Sequence, residues 1–296
     1  RSGRGREVAP LCADAATPHI REERRGGRSV RFGCGDREVS TVIFSWLRGR
    51  RDKSPAYPLP AEGETIYAIG DIHGRSDLLD AIHGAIDAEM AARGGRAIEI
   101  CLGDYVDRGP DSAGVIERLI RRSATRSLVT LRGNHEEMFA AFLGGEVEPE
   151  EWRPVGGLET LMSYGVDVGA LAGKPRAAWV EAARARVPAS HRAFLDGLVD
   201  FHRAGGYYFT HAGIRPGVAL DEQESEDLLW IRDVFLGDER PHGAVVVHGH
   251  TPAMEAELLP NRINIDTGAY LTNRLTCLRI GADGLNLIAT GPRPNA

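Results

Sequence analysis

From residue 64 onward, short apolar runs alternate with stretches of helical spacing. Residues 65–69, 97–102 and 128–131 are compact apolar segments closed by polar punctuation, which predicts buried strands. Between the first two, Leu78, Leu79, Ile82 and Ile86 recur at helical spacing over residues 76–92, with Ser76 or Asp77 placed to cap the helix. Pro110 introduces a second helix over residues 111–122, apolar at Val115, Ile116, Leu119 and Ile120. Residues 144–204 are mainly helical in pattern and poor in candidate catalytic side chains. Strands resume at residues 207–210, 245–247, 263–265, 275–280 and 285–288. Strand–helix alternation followed by a strand-rich half predicts an α/β body containing two sheets. There is no internal repeat and no heptad seam.

Residues 1–53 lack this order. They mix Arg with Gly, show no sustained period and carry no initiating Met, so upstream sequence is missing or translation begins further in. Pro55, Pro58 and Pro60 then make a stiff linker. The chain therefore divides into a tail and linker over residues 1–60, expected to be disordered, and a catalytic domain over 61–291 with a helical insertion at 144–204.

Charge sharpens that division. The tail holds thirteen Lys/Arg against seven Asp/Glu, a net +6; with −6 overall, the remainder carries −12. An acidic body is a poor binder of nucleic acid, whose affinity rests on neutralised phosphates, so only the tail offers a weak nucleic-acid contact. No apolar run reaches the ~18 residues of a membrane span, and the best, residues 39–47, contains Ser40, Thr41 and Ser45. Cys12, Cys34, Cys101 and Cys277 form no CxxC pair, which fits a reducing cytoplasm better than a disulfide scaffold.

The chemistry lies at the strand ends. The first three strands run into Gly70-Asp71-Ile72-His73-Gly74, Gly103-Asp104-Tyr105-Val106-Asp107-Arg108-Gly109 and Gly133-Asn134-His135-Glu136. Two later strands end in His211-Ala212-Gly213 and His248-Gly249-His250-Thr251-Pro252. Strand ends in α/β proteins open onto one edge, so clusters far apart in sequence can converge there. Any one of these motifs is weak; five together supply oxygen and nitrogen ligands without thiolate, a set suited to manganese, iron or zinc.

Taken in order, GDIHG, GDYVDRG, GNHE, HAG and GHTP resemble the PPP-type serine/threonine protein phosphatases of the calcineurin-like metallophosphoesterase superfamily, in their small bacterial and phage branch. The likeness runs from about residue 64 to 288 and includes Leu228-Leu229-Trp230-Ile231-Arg232-Asp233. It implies an α/β/β/α sandwich and two divalent ions, manganese being the expected metal. Asp71 and His73 are implied to hold the first ion, Asp104 to bridge, and Asn134, His211 and His250 to complete the second. Such a pair acidifies a shared water, giving a hydroxide for in-line attack on phosphorus. His135 is implied to be the general acid, Asp107 its orienting carboxylate, and Arg108 and Arg232 the phosphate clamps. Arg232 has an alternative as an ion-pair partner of Asp227 or Asp233. His248 reads as structural, and His83, His191, His202 and His242 as ordinary helix or loop residues.

Pro252 stands where many nucleases and diesterases of the superfamily carry a further His, and Glu136 where many carry Asp. Both departures point away from DNA nucleases and cyclic-nucleotide diesterases and toward the phosphoprotein branch. The leading expectation is a phosphoserine/phosphothreonine phosphatase acting on a phosphoprotein, a peptide or small phosphate esters. Its rival is a symmetrical dinucleoside tetraphosphate hydrolase, which shares the same framework. A non-catalytic binding module would show a lost ligand, and none is lost.

Overall fold

The computed structural model describes residues 57–291, together with the backbone of three short upstream strands, β1 (His19–Glu22), β2 (Arg28–Arg31) and β3 (Val39–Val42). The expectation of a disordered tail falls otherwise outside the described residues. The catalytic body follows in the order β4 (Glu64–Ile69), α1 (Ser76–Arg93), β5 (Arg96–Cys101), α2 (Ser112–Ser123), β6 (Leu128–Thr130) and α3 (Asn134–Gly144). The mainly helical middle comprises α4 (Pro149–Trp152), a 3-10 turn, α5 (Gly157–Ser163), α6 (Arg176–Arg186) and α7 (Ala189–Asp196). Then come β7 (Phe201–Ala204), β8 (Tyr207–Thr210), α8 (Ser225–Trp230), α9 (Asp233–Leu236), β9 (Val245–His248), β10 (Glu257–Leu258) and β11 (Arg262–Asn264). The chain closes with α10 (Ala269–Thr272), β12 (Thr276–Gly281) and β13 (Gly284–Thr290).

Apart from the antiparallel pair β1-β2, two sheets result, a six-stranded one ordered β3-β13-β12-β4-β5-β6 and a five-stranded one ordered β10-β11-β9-β8-β7. Strand alternation makes them stack. On β4, Ile66 and Ala68 face the second sheet, where they meet Tyr207, Phe209, Val247 and Ile263 in one apolar cluster. Tyr67 and Ile69 face the other way, into a cluster with Leu79, Ile82, Ile116 and Phe139 of α1, α2 and α3. On the outer face of the second sheet, Tyr208 and Val246 pack with Leu228, Ile231 and Phe235 of the α8–α9 region. The layering is the expected α/β/β/α sandwich. The middle segment adds Trp152, Leu161, Tyr164, Trp179 and Val180 to the first cluster, so these residues are core.

β4, β5 and β6 run parallel, as do β8, β9 and β11, and each set delivers its C-terminal ends to one edge. Those ends are laced together: Ile72 and His73 donate backbone N–H groups to the Asp104 carbonyl, and Gly249 donates to that of His211.

Two local expectations fail for identifiable reasons. Neither Ser76 nor Asp77 caps α1: the N-cap position is Arg75, Ser76 Oγ bonds Asp111, and Asp77 accepts the Arg75 guanidinium. β7 was not foreseen, because Phe201-His202-Arg203-Ala204 alternates between exposed and half-buried at a sheet edge and forms no apolar run.

Phe209 is fully buried between the sheets. Phe209→Ala should destabilise the domain by ~3–5 kcal/mol in urea unfolding; a cost below ~1 kcal/mol would be incompatible with sheets packed through this residue.

Candidate metal centre

Asp104 lies at the middle of the site. Its Oδ2 is 3.3 Å from His73 Nε2 and 3.8 Å from His135 Nε2, while its Oδ1 is 3.4 Å from His211 Nε2. Two trios that could hold an ion share it: His73–Asp104–His135 and Asp104–His211–His250, all buried. Asn134 joins the second, its Oδ1 lying 2.9 Å from both His211 Nε2 and His250 Nδ1. Asp71 stands apart from both trios; its Oδ2 accepts the His250 N–H, and its Oδ1 is buried without a hydrogen-bond partner.

Several features of this arrangement fit a resident cation. His211 Nδ1–H donates to the Leu102 carbonyl, so the bare Nε2 lone pair points at the oxygens of Asn134 and Asp104. Lone pair against lone pair is repulsive unless a positive charge lies between them. His73 is set in the same way by Nδ1–H donation to the Val106 carbonyl. Burial depresses the imidazole pKa values, to about 3 for His73 and His250, leaving neutral ligand forms. Asp71, by contrast, is pushed well above the ordinary carboxylate range by burial and then by Asp266 and Asp104. A metal ion relieves that crowding of acids.

The backbone is strained where the ligands sit. Among the described residues six non-glycines have positive φ, and five of them are His73, Asp104, Asp107, Arg108 and His250. Each such conformation costs of the order of 1–3 kcal/mol and persists only where neighbours enforce it. Glu136 enforces Asp104. Its Oε2 accepts the N–H groups of Asp104 and Gly133, and its Oε1 those of Tyr105 and Val106. A Cβ on Gly133 would collide with Asp104 Oδ1 and backbone nitrogen, so glycine is required there.

His135 Nδ1 is 2.7 Å from Asp107 Oδ2. Burial works against charge on this imidazole, but Asp104 and the hydrogen-bonded Asp107 outweigh it and raise its pKa. Asp107 is itself fixed by Trp152 Nε1–H at 2.9 Å and Thr160 Oγ1–H at 2.6 Å. Arg108 Nη1 donates to His73 Nε2 at 3.2 Å, with the guanidinium 4.8 Å from the centre of the Tyr270 ring. Arg232 Nε donates to His250 Nε2 at 3.0 Å, while Asp227 is occupied by Arg215. His248 diverges from His250, because β9 ends at His248 and the positive φ of His250 turns the chain. His248 packs instead against Phe235 and Arg262.

Four contributors escaped sequence reasoning: Asp266, Tyr270, Trp152 and Thr160. Asp266 carried a usable signal, since Asp266-Thr267-Gly268 follows an apolar strand just as the other clusters do. Burial pushes its carboxyl up to about 6. The role of Trp152 and Thr160 depends on a helix packing back over Asp107, which no local pattern records.

Glu136→Gln removes an acceptor whichever way the amide turns, leaving two of four backbone donors facing an NH2 group. It should cost at least ~2 kcal/mol of stability by denaturant unfolding, at ~1–3 kcal/mol per orphaned group. A neutral substitution would mean that the carboxylate does not hold this loop.

Comparison with known proteins adds to this geometry. The bis(5'-nucleosyl)-tetraphosphatase PrpE [asymmetrical] of Anoxybacillus flavithermus is 28% identical over 238 residues, covering 71% of this chain and 88% of its own. The symmetrical bis(5'-nucleosyl)-tetraphosphatase of Paracidovorax citrulli is 28% identical over 216 residues, covering 72% of this chain and 66% of its own. A solved structure assigned provisionally as a diadenosine tetraphosphatase superposes with a TM-score of 0.55 at 19% identity, over 81% of this chain and all of that one, and shows the shared fold. The profile of the calcineurin-like phosphoesterases matches residues 64–285, the span that carries the whole five-stranded sheet, four strands of the six-stranded one and every side chain of the centre. With fold, ligand set and profile in agreement, this chain belongs to the calcineurin-like phosphoesterase family and is a metal-dependent phosphoesterase.

Proposed function

We propose that the enzyme hydrolyses dinucleoside polyphosphates of the bis(5'-nucleosyl) tetraphosphate type. The observation that carries this reading is that relatives aligned over some 71% of the chain bear that name, in both asymmetrical and symmetrical forms. The GHTP and Leu228–Asp233 stretches favour a phosphoprotein substrate in sequence alone. The relatives move the reading to the nucleotide.

Asp71, His73 and Asp104 are the proposed holders of one divalent ion, and Asp104, Asn134, His211 and His250 of the other, manganese being the candidate metal. Bound there, the ions would supply a nucleophilic hydroxide near neutral pH and neutralise phosphate charge. Arg108 beside His73 and Arg232 beside His250 are placed to grip a polyphosphate at two points with planar forks. His135 holds a proton on Nε2 while Asp107 fixes Nδ1, so it can protonate the departing oxygen. Thr160 and Trp152 keep Asp107 from turning away, and burial excludes water from the pair.

Purified protein, stripped of metal and reloaded with manganese, should turn over diadenosine tetraphosphate with a kcat/KM at least about tenfold above that for a phosphothreonine peptide, a gap of ~1.4 kcal/mol in transition-state stabilisation. Faster release from the peptide would return the function to phosphoprotein chemistry. Product analysis reads the cleavage mode, two nucleoside diphosphates for symmetrical attack or a triphosphate and a monophosphate for asymmetrical.

Asp104→Asn and His211→Ala should each abolish tight manganese binding in calorimetry. His135→Asn should retain metal while slowing turnover within the ~10²–10⁴-fold range of general acid catalysis. Its loss should be smaller on the anhydride, whose phosphate leaving group needs less protonation than a serine alkoxide. Loss of metal from His135→Asn would instead make His135 a ligand of the trio it shares with His73 and Asp104.

A further inference from the structure

We infer that Trp230 is the platform on which one nucleobase of the substrate stacks, making it a specificity-determining residue; this rests on the nucleotide reading above. The run Leu228-Leu229-Trp230-Ile231 is directed at the core, with Leu228, Leu229 and Ile231 buried, yet the largest side chain in it is 40% exposed. The other tryptophans among the described residues, Trp152 and Trp179, are buried. An exposed indole costs apolar burial, and here it stands at the rim of the metal centre, its ring 6.4 Å from that of His250 and nearly perpendicular to it.

The ring is also held still. Its Nε1–H donates to Glu137 Oε2 at 2.7 Å, tying the end of α8 to the first turn of α3 beside Asn134 and His135. A pinned aromatic face loses little entropy on binding a second flat ring. Two residues on, Arg232 reaches His250, so a phosphate clamp and an aromatic face project from one short segment. A nucleotide has the same layout, its base set off from the 5'-phosphate by one sugar ring. Tyr270, the aromatic on the opposite side of the centre, differs: Arg108 lies over its ring and His73 against it at 5.3 Å, so it is occupied by the phosphate-binding machinery. Among the described residues around the centre, Trp230 is thus the one aromatic face left open, and one base is held. Stacking tolerates any base, since each has a π face.

The test compares adenosine 5'-monophosphate with ribose 5-phosphate as ligands of the manganese-loaded, full-length protein by calorimetry. The two share sugar and phosphate and differ in the base. The wild type should bind the nucleotide about tenfold more tightly, at the low end of what base–aromatic stacking supplies. Trp230→Ala should bring the two affinities together, and Trp230→Phe should restore most of the difference, which separates stacking from misfolding. Equal wild-type affinities, or a preference that survives in Trp230→Ala, overturns the inference. Turnover of diadenosine tetraphosphate by the wild type is read separately: its failure would sink the proposed substrate, whereas the binding comparison would still decide whether Trp230 receives a base.

Discussion

The structure depends on crowding one carboxylate, that of Asp104, with neighbours it would otherwise repel. Asp71, Asp104 and Asp266 are buried together, with the neutral imidazoles of His73 and His211 and the Asn134 oxygen turning lone pairs inward. Nothing in hydrophobic folding favours this arrangement, since each desolvated acid costs several kcal/mol unless compensated. Divalent cations would compensate it, a demand for positive charge built into the side chains themselves. The strain at His73, Asp104, Asp107, Arg108 and His250 is the backbone counterpart of that demand.

Rigid elements meet it from three directions. The two stacked sheets bring parallel strand ends to a common edge, and the carbonyls of Asp104 and His211 tie the loops to one another. Glu136, on the first turn of α3, gathers four backbone donors and so fixes Asp104 without touching the proposed metal positions. The helical middle segment reaches in through Trp152 and Thr160 to hold Asp107. These contacts are short, buried and geometrically specific, as positioning of reacting groups requires.

Much of this was legible in the sequence because strand ends are punctuated locally. Runs such as residues 65–69 and 97–102 announce both the strand and the Gly-Asp turn after it, and the family resemblance carried by five such ends implies the six expected ligand residues. Where long-range contacts decide, local pattern fails. Ser76 looks like a cap, yet its hydroxyl is drawn to Asp111 across the helix pair. His248 and His250 look like one face of a strand, yet the strand stops between them. Asp266 follows an apolar strand and precedes Thr267-Gly268, but it has neither a preceding Gly nor an adjacent His, one or both of which mark the other strand ends. The substrate is least legible: no local pattern in the middle segment separates a phosphoprotein from a dinucleotide, since Trp152, Leu161 and Tyr164 there pack into the core, and only the relatives favour the nucleotide.

That two cations share Asp104 is the central claim, and electron paramagnetic resonance of the manganese-loaded protein tests it most directly. At two equivalents of manganese a shared Asp104 bridge should give the spectrum of an exchange-coupled pair, collapsing to uncoupled or absent signal in Asp104→Asn. A wild-type spectrum of isolated ions at every loading would contradict a shared bridge.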